Sequence, residues 1–440
     1  MKSRREFLGT ATAAVSTAAP LLAARPAASR VIGANDRIGV GVIGLGSMGF
    51  GHVRLLKKYA DDKSSIQVNA VSDLYTKRKE RSRGFLGLAE KDVHHEYRDL
   101  IGRNDIDAVF VATPDHWHFR MAMDALEAGK DVYVQKPMTY TIEEAKTLAA
   151  YVRKSGRVLQ VGSQYASEDQ YFRGREAVEK GLIGKPLWAQ GTYCRNTYHG
   201  EWNYTIDDEG TPETIDWKRF LGSAPKRPFS QDRFFRWRKY WDYSGGIATD
   251  LLYHRLVPFM RLLGPQFPVR VSSNGGIWVH KDREVPDTVS TTIEYADSQV
   301  VMASSMAADL PGSHVKPILY GHEGTIQFNG KELLITPEPI YRKKFRDKTG
   351  QDQLVIASEV SDLQTAHMIN FFDSMRSRKQ PNLDADFGYK VMVAIGLGVE
   401  AYRESRQMNF DPATERVIRN APKREGYEGS GKNVDETVIS

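Results

Sequence analysis

The chain has 440 residues, of which 41% are hydrophobic and 26% are charged. This composition excludes a disordered or fibrous protein and allows two or more globular domains. The single cysteine, Cys194, cannot form an internal disulfide, and no Cys/His group has the spacing of a zinc site, so no metal site is predicted. The formal net charge is +6, but residues 1–30 carry +4 of it, which leaves little indication of nucleic-acid binding.

Residues 1–30 have the pattern of a twin-arginine targeting signal. Arg4 and Arg5 precede Phe7 and Leu8, and an uncharged stretch over 9–24 leads to small residues. That stretch is shorter than the roughly 20 residues of a membrane-spanning helix. We expect the folded protein to be exported to the periplasm, to lose this segment and to have no membrane attachment afterwards.

Short apolar strands alternate with amphipathic helices between residues 36 and 163. We predict strands at 38–43, 67–72, 108–112, 131–134 and 158–162, and helices at 49–58, 118–128 and 142–156. The last helix follows Thr141 and Glu144, which have capping-box spacing. This alternation predicts an α/β fold with a doubly wound parallel sheet, a Rossmann domain over 36–163.

The pattern changes after residue 163. We predict strands at 187–193, 269–273, 288–295, 299–304, 318–321, 325–328 and 332–335, and helices at 171–180, 364–376 and 389–406. Most of these strands have no helix between them, which predicts a second α/β domain, over 164–411, with an open and mainly antiparallel sheet. An aromatic and basic insertion spans 196–244, and a loose tail is expected over 412–440.

The first strand leads into a glycine-rich turn, Gly44-Leu45-Gly46-Ser47-Met48-Gly49, and Asp73 ends the second strand. Glycines between a strand and a helix let the backbone approach a pyrophosphate at the helix N-terminus. Asp73 would accept hydrogen bonds from the adenosine ribose and repel a ribose phosphate, which favours NAD. Lys77 and Arg78 lie close enough to keep NADP as an alternative.

Further polar groups follow later strands. Thr113-Pro114-Asp115-His116-Trp117-His118 and Gln135-Lys136-Pro137 lie where parallel strands end, at the edge of the sheet that binds ligands. Gly245 and Gly246 open a predicted helix on which Asp250 and His254 are four residues apart, hence on one face.

These motifs, together with V-G-S-Q at 161–164 and G-L-I-G-K-P at 181–186, resemble the Gfo/Idh/MocA family, the glucose-fructose oxidoreductase and inositol dehydrogenase group. The resemblance covers nearly all of the chain after residue 36. It implies a Rossmann domain and an α/β domain whose sheet often makes an oligomer contact, so we expect a homo-oligomer, a dimer or tetramer. It also implies that Lys136, Asp250 and His254 are catalytic.

The predicted cofactor-binding residues come from the fingerprint and the strand ends. They are Gly44, Gly46, Ser47, Met48, Gly49, Asp73, Thr113, Pro114, His118, Lys136 and Gln164.

The chemistry of the three catalytic candidates supports the same roles. Oxidation of an alcohol needs a base beside the nicotinamide, and His254 can serve. Lys136 could stabilise the developing alkoxide, and Asp250 could orient His254 or bind a hydroxyl. The family usually has Glu where this chain has Gln135, a change that should make Lys136 easier to deprotonate.

The insertion is the predicted source of substrate contacts. Its aromatic and hydrogen-bonding side chains suit the apolar face and hydroxyl rim of a sugar or cyclitol. The substrate candidates within it or beside it are Tyr193, Arg195, Trp237, Arg238 and Tyr253. RNA would use similar residues, but the nearly neutral mature chain argues against it. Packing of the loop or of a subunit interface is the other interpretation.

Three functions remain open on the sequence. The favoured one is a periplasmic oxidoreductase that acts on a secondary hydroxyl of a sugar, glycoside or cyclitol with tightly bound NAD. The second is an NAD-dependent glycosidase resembling glycoside hydrolase family 109, which differs in lacking the Lys-Pro motif and in placing His where this chain has Asp250. The third is a sugar-binding module without activity, which the intact Gly44, Gly46, Asp73, Lys136 and His254 disfavour.

Overall fold

The computed structural model describes residues 37–309 and 315–420. The predicted export signal and residues 421–440 of the predicted tail lie outside the described residues. Within these two ranges, no helix has the length and apolar character needed to cross a bilayer.

The N-terminal domain is built on a parallel sheet of six strands in the order β3-β2-β1-β4-β5-β6. The strands are β1 Ile38–Ile43, β2 Ile66–Ser72, β3 Val93–His94, β4 Ala108–Val111, β5 Asp131–Gln135 and β6 Leu159–Gly162. The helices are α1 Ser47–Lys63, α2 Thr76–Leu86, α3 Tyr97–Ile101, α4 Asp115–Glu127 and α5 Ile142–Ser155. This order reverses beside β1, so the carboxyl ends of β1 and β4 open the crevice in which such sheets bind ligands.

The predicted capping box of α5 is present. The Thr141 hydroxyl accepts from the Glu144 backbone N–H at 3.2 Å, and the Glu144 carboxylate accepts from the Thr141 N–H at 2.9 Å. The helix ends at Gly156, whose left-handed φ of 66° suits glycine. Local chemistry therefore sets both ends of this helix.

The C-terminal domain carries a ten-stranded sheet in the order β14-β13-β12-β11-β7-β10-β9-β8-β15-β16. Its strands are β7 Pro186–Thr192, β8 Arg270–Gly276, β9 Thr288–Glu294, β10 Gln299–Ser305, β11 Ile318–Gly321, β12 Gly324–Asn329, β13 Glu332–Pro337, β14 Leu354–Ala357, β15 Met408–Asp411 and β16 Arg416–Ile418. Only β7 and β10 pair in parallel among the described strands of this sheet, so the expected mainly antiparallel sheet is confirmed. The sequence predicts a loose tail from residue 412 onwards. Residues 416–418 of that segment instead form strand β16, because they pair with β15 as a hairpin.

The helices of this domain are α6 Asp169–Glu179, α7 Trp217–Leu221, α8 Gln231–Phe235, α9 Tyr253–Leu263, α10 Arg342–Thr349, α11 Leu363–Ser377 and α12 Ala385–Glu404. A π-helical turn, Ala248–Leu252, leads directly into α9.

Helix α11 belongs to the packing of the N-terminal sheet, although it lies within the range 164–411 predicted for the second domain. Phe371 is fully buried, and its ring meets those of Phe110 on β4 and Tyr133 on β5 at centroid distances of 5.7 and 5.9 Å. Met368 and Phe372 join the same apolar cluster. The chain therefore returns to the Rossmann sheet and ties the two domains together.

The aromatic insertion forms a third apolar cluster beside the crevice. Tyr75, just after β2, makes an antiparallel bridge with Ile215, and the Asp216 N–H donates to the Leu74 carbonyl at 3.1 Å. Tyr75 and Ile215 pack there with Phe220 and Phe234. The insertion is therefore fixed to the N-terminal domain.

The role of α11 can be tested with Phe371→Ala. We expect a loss of about 3–5 kcal/mol of stability, because the change opens a cavity between α11 and the Rossmann sheet. Denaturant unfolding measures it, with Phe85→Ala as the matched control, since Phe85 is 41% exposed. Equal midpoints for the two variants would show that α11 does not support the sheet.

Candidate active site

One cavity collects most of the residues that the sequence singled out. It lies at the carboxyl ends of the parallel strands and has an empty volume of about 1200 Å³, part of it open to solvent. The predicted residues that line it are Gly44, Gly46, Ser47, Met48, Asp73, Thr113, Pro114, Lys136, Trp237 and Arg238.

The glycine-rich turn has the shape that its sequence predicts. Gly44 has a left-handed φ of 86°, and a Cβ at Gly49 would lie 1.8 Å from the Gly44 carbonyl oxygen. A Cβ on Gly46 would meet nothing nearer than the Arg78 guanidinium at 3.7 Å, so it would enter the cavity itself. The turn therefore brings the backbone close to whatever fills the cavity at the start of α1.

Asp73 lies across from this turn and is largely buried. Its carboxylate accepts from the Leu45 backbone N–H at 2.6 Å and from the Tyr75 N–H at 2.8 Å. A carboxylate offers about four lone-pair positions, so acceptor capacity remains for two ribose hydroxyls. The open position at Gly46, the helix N-terminus and Asp73 together fit a dinucleotide.

Lys136 follows β5 and is joined to Pro137 by a cis peptide bond. Its ammonium donates to the Asp250 carboxylate Oδ1 at 2.5 Å and to the Asp250 carbonyl at 2.9 Å. Asp250 lies in the π-helical turn, a distortion that often marks functional sites. An ammonium has three donors, so one remains for a substrate oxygen.

Asp250 is surrounded by donors from three parts of the chain. Besides Lys136, the Arg238 Nε donates to Oδ1 at 3.3 Å and the Trp202 indole N–H donates to Oδ2 at 3.2 Å. Burial opposes ionisation of this carboxyl, but the charges of Lys136 and Arg238 outweigh it and hold the pKa of Asp250 far below its usual range. The side chain is therefore a permanent anion that orients Lys136.

His254 lies one helical turn beyond Asp250. Its Nδ1 is 3.1 Å from the Ser163 hydroxyl, and its ring packs near Tyr165 and Tyr193 at centroid distances of 5.7 and 6.2 Å. Desolvation, assisted by the charge of Lys136, lowers the pKa of His254 to about 3. The imidazole is neutral at physiological pH and can accept a proton.

The Thr113–His118 motif mainly supports its neighbours. His116 Nε2 and the Trp117 indole N–H both contact the Phe220 carbonyl of the insertion, at 2.9 and 2.8 Å. His118 does not line the cavity, in contrast to its predicted contact with the cofactor. Its ring nitrogens contact the carbonyls of Pro137 and Thr113 at 2.6 and 2.9 Å, so His118 holds the loop that carries Lys136.

Seven other predicted residues also lie outside the cavity lining: Gly49, Gln164, Tyr193, Arg195, Asp250, Tyr253 and His254. Gln164 is half-buried in the short 3-10 helix that follows β6. Tyr253 is fully buried in the core of the C-terminal domain, because the face of α9 that carries it packs inward. Arg195 pairs with Glu201 at 3.8 Å beside Tyr193, on the His254 side of the site.

The structure adds residues that the sequence analysis did not select. Trp202 contacts Asp250, and Phe220, Phe234 and Phe235 line the cavity. Arg78, which the sequence analysis named only in connection with NADP, lines it as well. The aromatic composition of the insertion was the available signal, but it does not distinguish these rings from Tyr198, which is 99% exposed.

Asp115 is the most informative of the missed residues. It lines the cavity at the first turn of α4 and is only 3% exposed. Desolvation raises the pKa of Asp115 to about 7, although the charges of Arg238 and Lys136 oppose the rise. A carboxyl that holds a proton near neutral pH thus lies close to the catalytic candidates.

The shifted pKa predicts how Asp115→Asn changes stability with pH. Because the folded pKa lies above the usual value of 3.8, the folded state binds more protons between pH 4 and 7, and this group costs stability as pH rises. The variant should gain stability relative to wild type across that window, by at most about 4 kcal/mol.

Denaturant titrations at several pH values measure this gain, with Asp61→Asn on the surface as the control. A stability difference between Asp115→Asn and wild type that does not change with pH would contradict the shifted pKa.

Comparison with known proteins identifies the family. Residues 38–163 match the family model described as the oxidoreductase family, NAD-binding Rossmann fold, and residues 172–425 match its C-terminal alpha/beta domain.

Individual relatives differ in how much of them the chain covers. A scyllo-inositol 2-dehydrogenase (NAD(+)) of Bacillus subtilis is 27% identical over 66% of this chain and 71% of its own length. A glycosyl hydrolase family 109 protein of Shewanella baltica is 30% identical over 43% of this chain and 45% of its own length. The inositol 2-dehydrogenases of Salmonella are likewise spanned over about half of their length.

A solved structure of levoglucosan dehydrogenase with NADH and levoglucosan superimposes with a TM-score of 0.65 at 20% identity, over 88% of this chain and all of the other, and so shares the fold. The two-domain fold thus agrees with both family models: the chain belongs to the Gfo/Idh/MocA oxidoreductase family and has its NAD-binding Rossmann domain.

Proposed function

We propose that the protein is a dehydrogenase that oxidises a secondary hydroxyl of a sugar, glycoside or cyclitol. The observation that carries this proposal is the buried contact of Lys136 with Asp250, next to a neutral His254 and on the wall of the dinucleotide cavity. The inositol dehydrogenase relative and the levoglucosan dehydrogenase fold support this substrate class.

His254, Lys136 and Asp250 have different roles in the proposed reaction. Bound NAD supplies the acceptor for the hydride that leaves the carbinol carbon with its electron pair. With Nδ1–H donating to the Ser163 hydroxyl, His254 keeps its lone pair on Nε2 and takes the hydroxyl proton as the C=O bond forms. The free donor of Lys136 stabilises the negative charge that develops on oxygen. Asp250 holds Lys136 in place and remains ionised throughout.

A glycosidase that uses the same first step is the second candidate, favoured by the similarity to the family 109 protein. A ketone formed next to a C–H bond acidifies it, so the aglycone can be eliminated. Addition of water to the resulting unsaturated ketone and return of the hydride would then hydrolyse a glycoside without net oxidation. Release of free aglycone from a glycoside by the purified protein would assign this function, whereas recovery of an intact keto-glycoside assigns the dehydrogenase.

We also propose export to the periplasm by the twin-arginine pathway and assembly into a dimer or tetramer. The face of the C-terminal sheet that carries Trp188 and Tyr320, stacked at 4.3 Å, is the surface that we assign to this assembly. Alternate residues of the same strands, Ala189 and Leu319, are buried on the opposite face.

Substitution of Lys136 and His254 tests the proposed chemistry. Lys136→Met and His254→Ala should keep the nucleotide but lose about 100-fold or more in the rate of hydride transfer, the usual effect of removing an acid–base group. Single-turnover reduction of bound NAD, followed by absorbance, measures this rate. Lys343→Met, whose side chain is 90% exposed, is the control. A normal single-turnover rate in either variant removes that residue from the mechanism.

Retention of the nucleotide tests the proposed location. The periplasm offers little free NAD, so we expect the nucleotide to be loaded before export and to stay bound, with each hydride returned before the next turnover. Nanomolar binding needs about 12 kcal/mol, which a buried pyrophosphate and two rings can supply. After removal of free nucleotide, product should exceed bound cofactor when a second sugar accepts the hydride. Activity that stops after one equivalent, with NAD exchanging freely, would contradict a closed cycle.

A further inference from the structure

Part of the insertion forms the outer wall of the cavity at its adenosine end, the end marked by Asp73. Phe234 and Phe235 of α8 line the cavity together with Asp73 and Arg78. The wall is fixed to the Rossmann domain through the backbone, because the Thr76 N–H donates to the Thr214 carbonyl at 3.1 Å. Insertion residues therefore lie next to the ribose-binding carboxylate.

Two basic residues in the first turn of α2 could recognise a ribose 2′-phosphate, since the residues after β2 make this discrimination in dinucleotide-binding domains. One of them, Lys77, is engaged by the insertion. Its ammonium lies 2.6 Å from the Glu209 carboxylate and 3.0 Å from that of Asp207. A single cation thus faces two anions.

The other basic residue, Arg78, is held in an aromatic setting. Its guanidinium lies 4.9 Å from the ring centroid of Phe234 and 5.4 Å from that of Phe235. On the next turn of the helix, Arg81 donates to the Leu45 carbonyl at 2.5 Å and stacks on Phe50 at 3.9 Å. Lys77 and Arg78 are therefore both contacted by the insertion, and Arg78 also lines the cavity.

The local charge is consequently unfavourable for a phosphorylated ribose. Asp73 lines the cavity, and Asp207 and Glu209 lie beside Lys77, whose ammonium they already engage. A 2′-phosphate would add a further negative charge to this group, whereas the 2′-hydroxyl of NAD adds none.

We propose that Asp207 and Glu209 are specificity-determining residues that exclude NADP by engaging Lys77. Aspartate after β2 disfavours the phosphate by itself, and the insertion engages Lys77, one of the two cations that could compensate. The proposal depends on NAD as the cofactor and is independent of the substrate and of the direction of the reaction.

The test is the nucleotide preference of the variant Asp207→Asn/Glu209→Gln. The full chain is incubated with equal concentrations of NAD and NADP until the bound ratio no longer changes, and native mass spectrometry counts the two complexes. Freeing Lys77 to bind a phosphate should raise the ratio of NADP to NAD about tenfold, the scale of a hydrogen bond to a charged group. The double variant should fold normally, because Lys77 and Glu209 are 48% and 70% exposed and such pairs add little stability.

Two further variants make the result specific. Asp208→Asn removes an adjacent exposed carboxylate and should leave the ratio unchanged. Lys77→Met added to the double variant should abolish the gain. The proposal is overturned if the double variant keeps the wild-type ratio, if it loses both nucleotides equally, or if the gain persists without Lys77.

Discussion

The buried ion pair between Lys136 and Asp250 is the interaction on which the rest of the site depends. Lys136 comes from the Rossmann domain and Asp250 from the turn that leads into α9, so the pair joins the two domains at the candidate active site. Leaving either charge alone in this largely buried position would cost about 3–5 kcal/mol. This contact thus positions Lys136 against Asp250 and adds to the links that α11 and the insertion make between the domains.

Gln135, the neighbour of Lys136 in the chain, adds no charge next to this pair, which leaves Asp250 as the partner of Lys136. Burial lowers the pKa of His52 to about 4, and its uncharged ring lies 2.6 Å from the Gln135 amide. A Glu at position 135 would place a second carboxylate next to Lys136, whereas the amide pairs with His52 without adding charge. The neutral state of His254 follows from the same desolvation, which leaves an unprotonated ring nitrogen close to the ion pair.

The sequence predicts the features that neighbouring residues determine. It does not predict which segments, far apart in the chain, contact each other in the fold. Apolar strands, the Thr141 capping box and the glycine turn are set by neighbours in the chain, and all three are present. The apolar stripe of α11 shows that the helix is buried, but only the structure shows that it covers the Rossmann sheet. His118 was predicted to contact the cofactor because its motif follows β4. Its ring nitrogens instead contact the carbonyls of Thr113, after β4, and Pro137, after β5. Tyr253 was predicted to contact the substrate, but its side chain is buried in the core. Successive residues of a helix point about 100° apart, so Tyr253 does not share the direction of its neighbour His254.

The aromatic insertion lies at the adenosine end of the cavity, where it can affect both the recognition and the release of a nucleotide. Its aromatic cluster packs as a unit, and that unit is attached to the motif after β4 through the Phe220 carbonyl and to β2 through Leu74. Exposing the adenosine end of the cavity therefore requires displacement of a packed segment, and rotation of one or two side chains is not sufficient. Individual surface ion pairs such as that of Arg219 with Glu96 add little to this barrier. The buried rings add more, because each buries a large apolar area that would have to be rehydrated. A nucleotide whose adenosine end lay beneath these rings would leave slowly for the same reason.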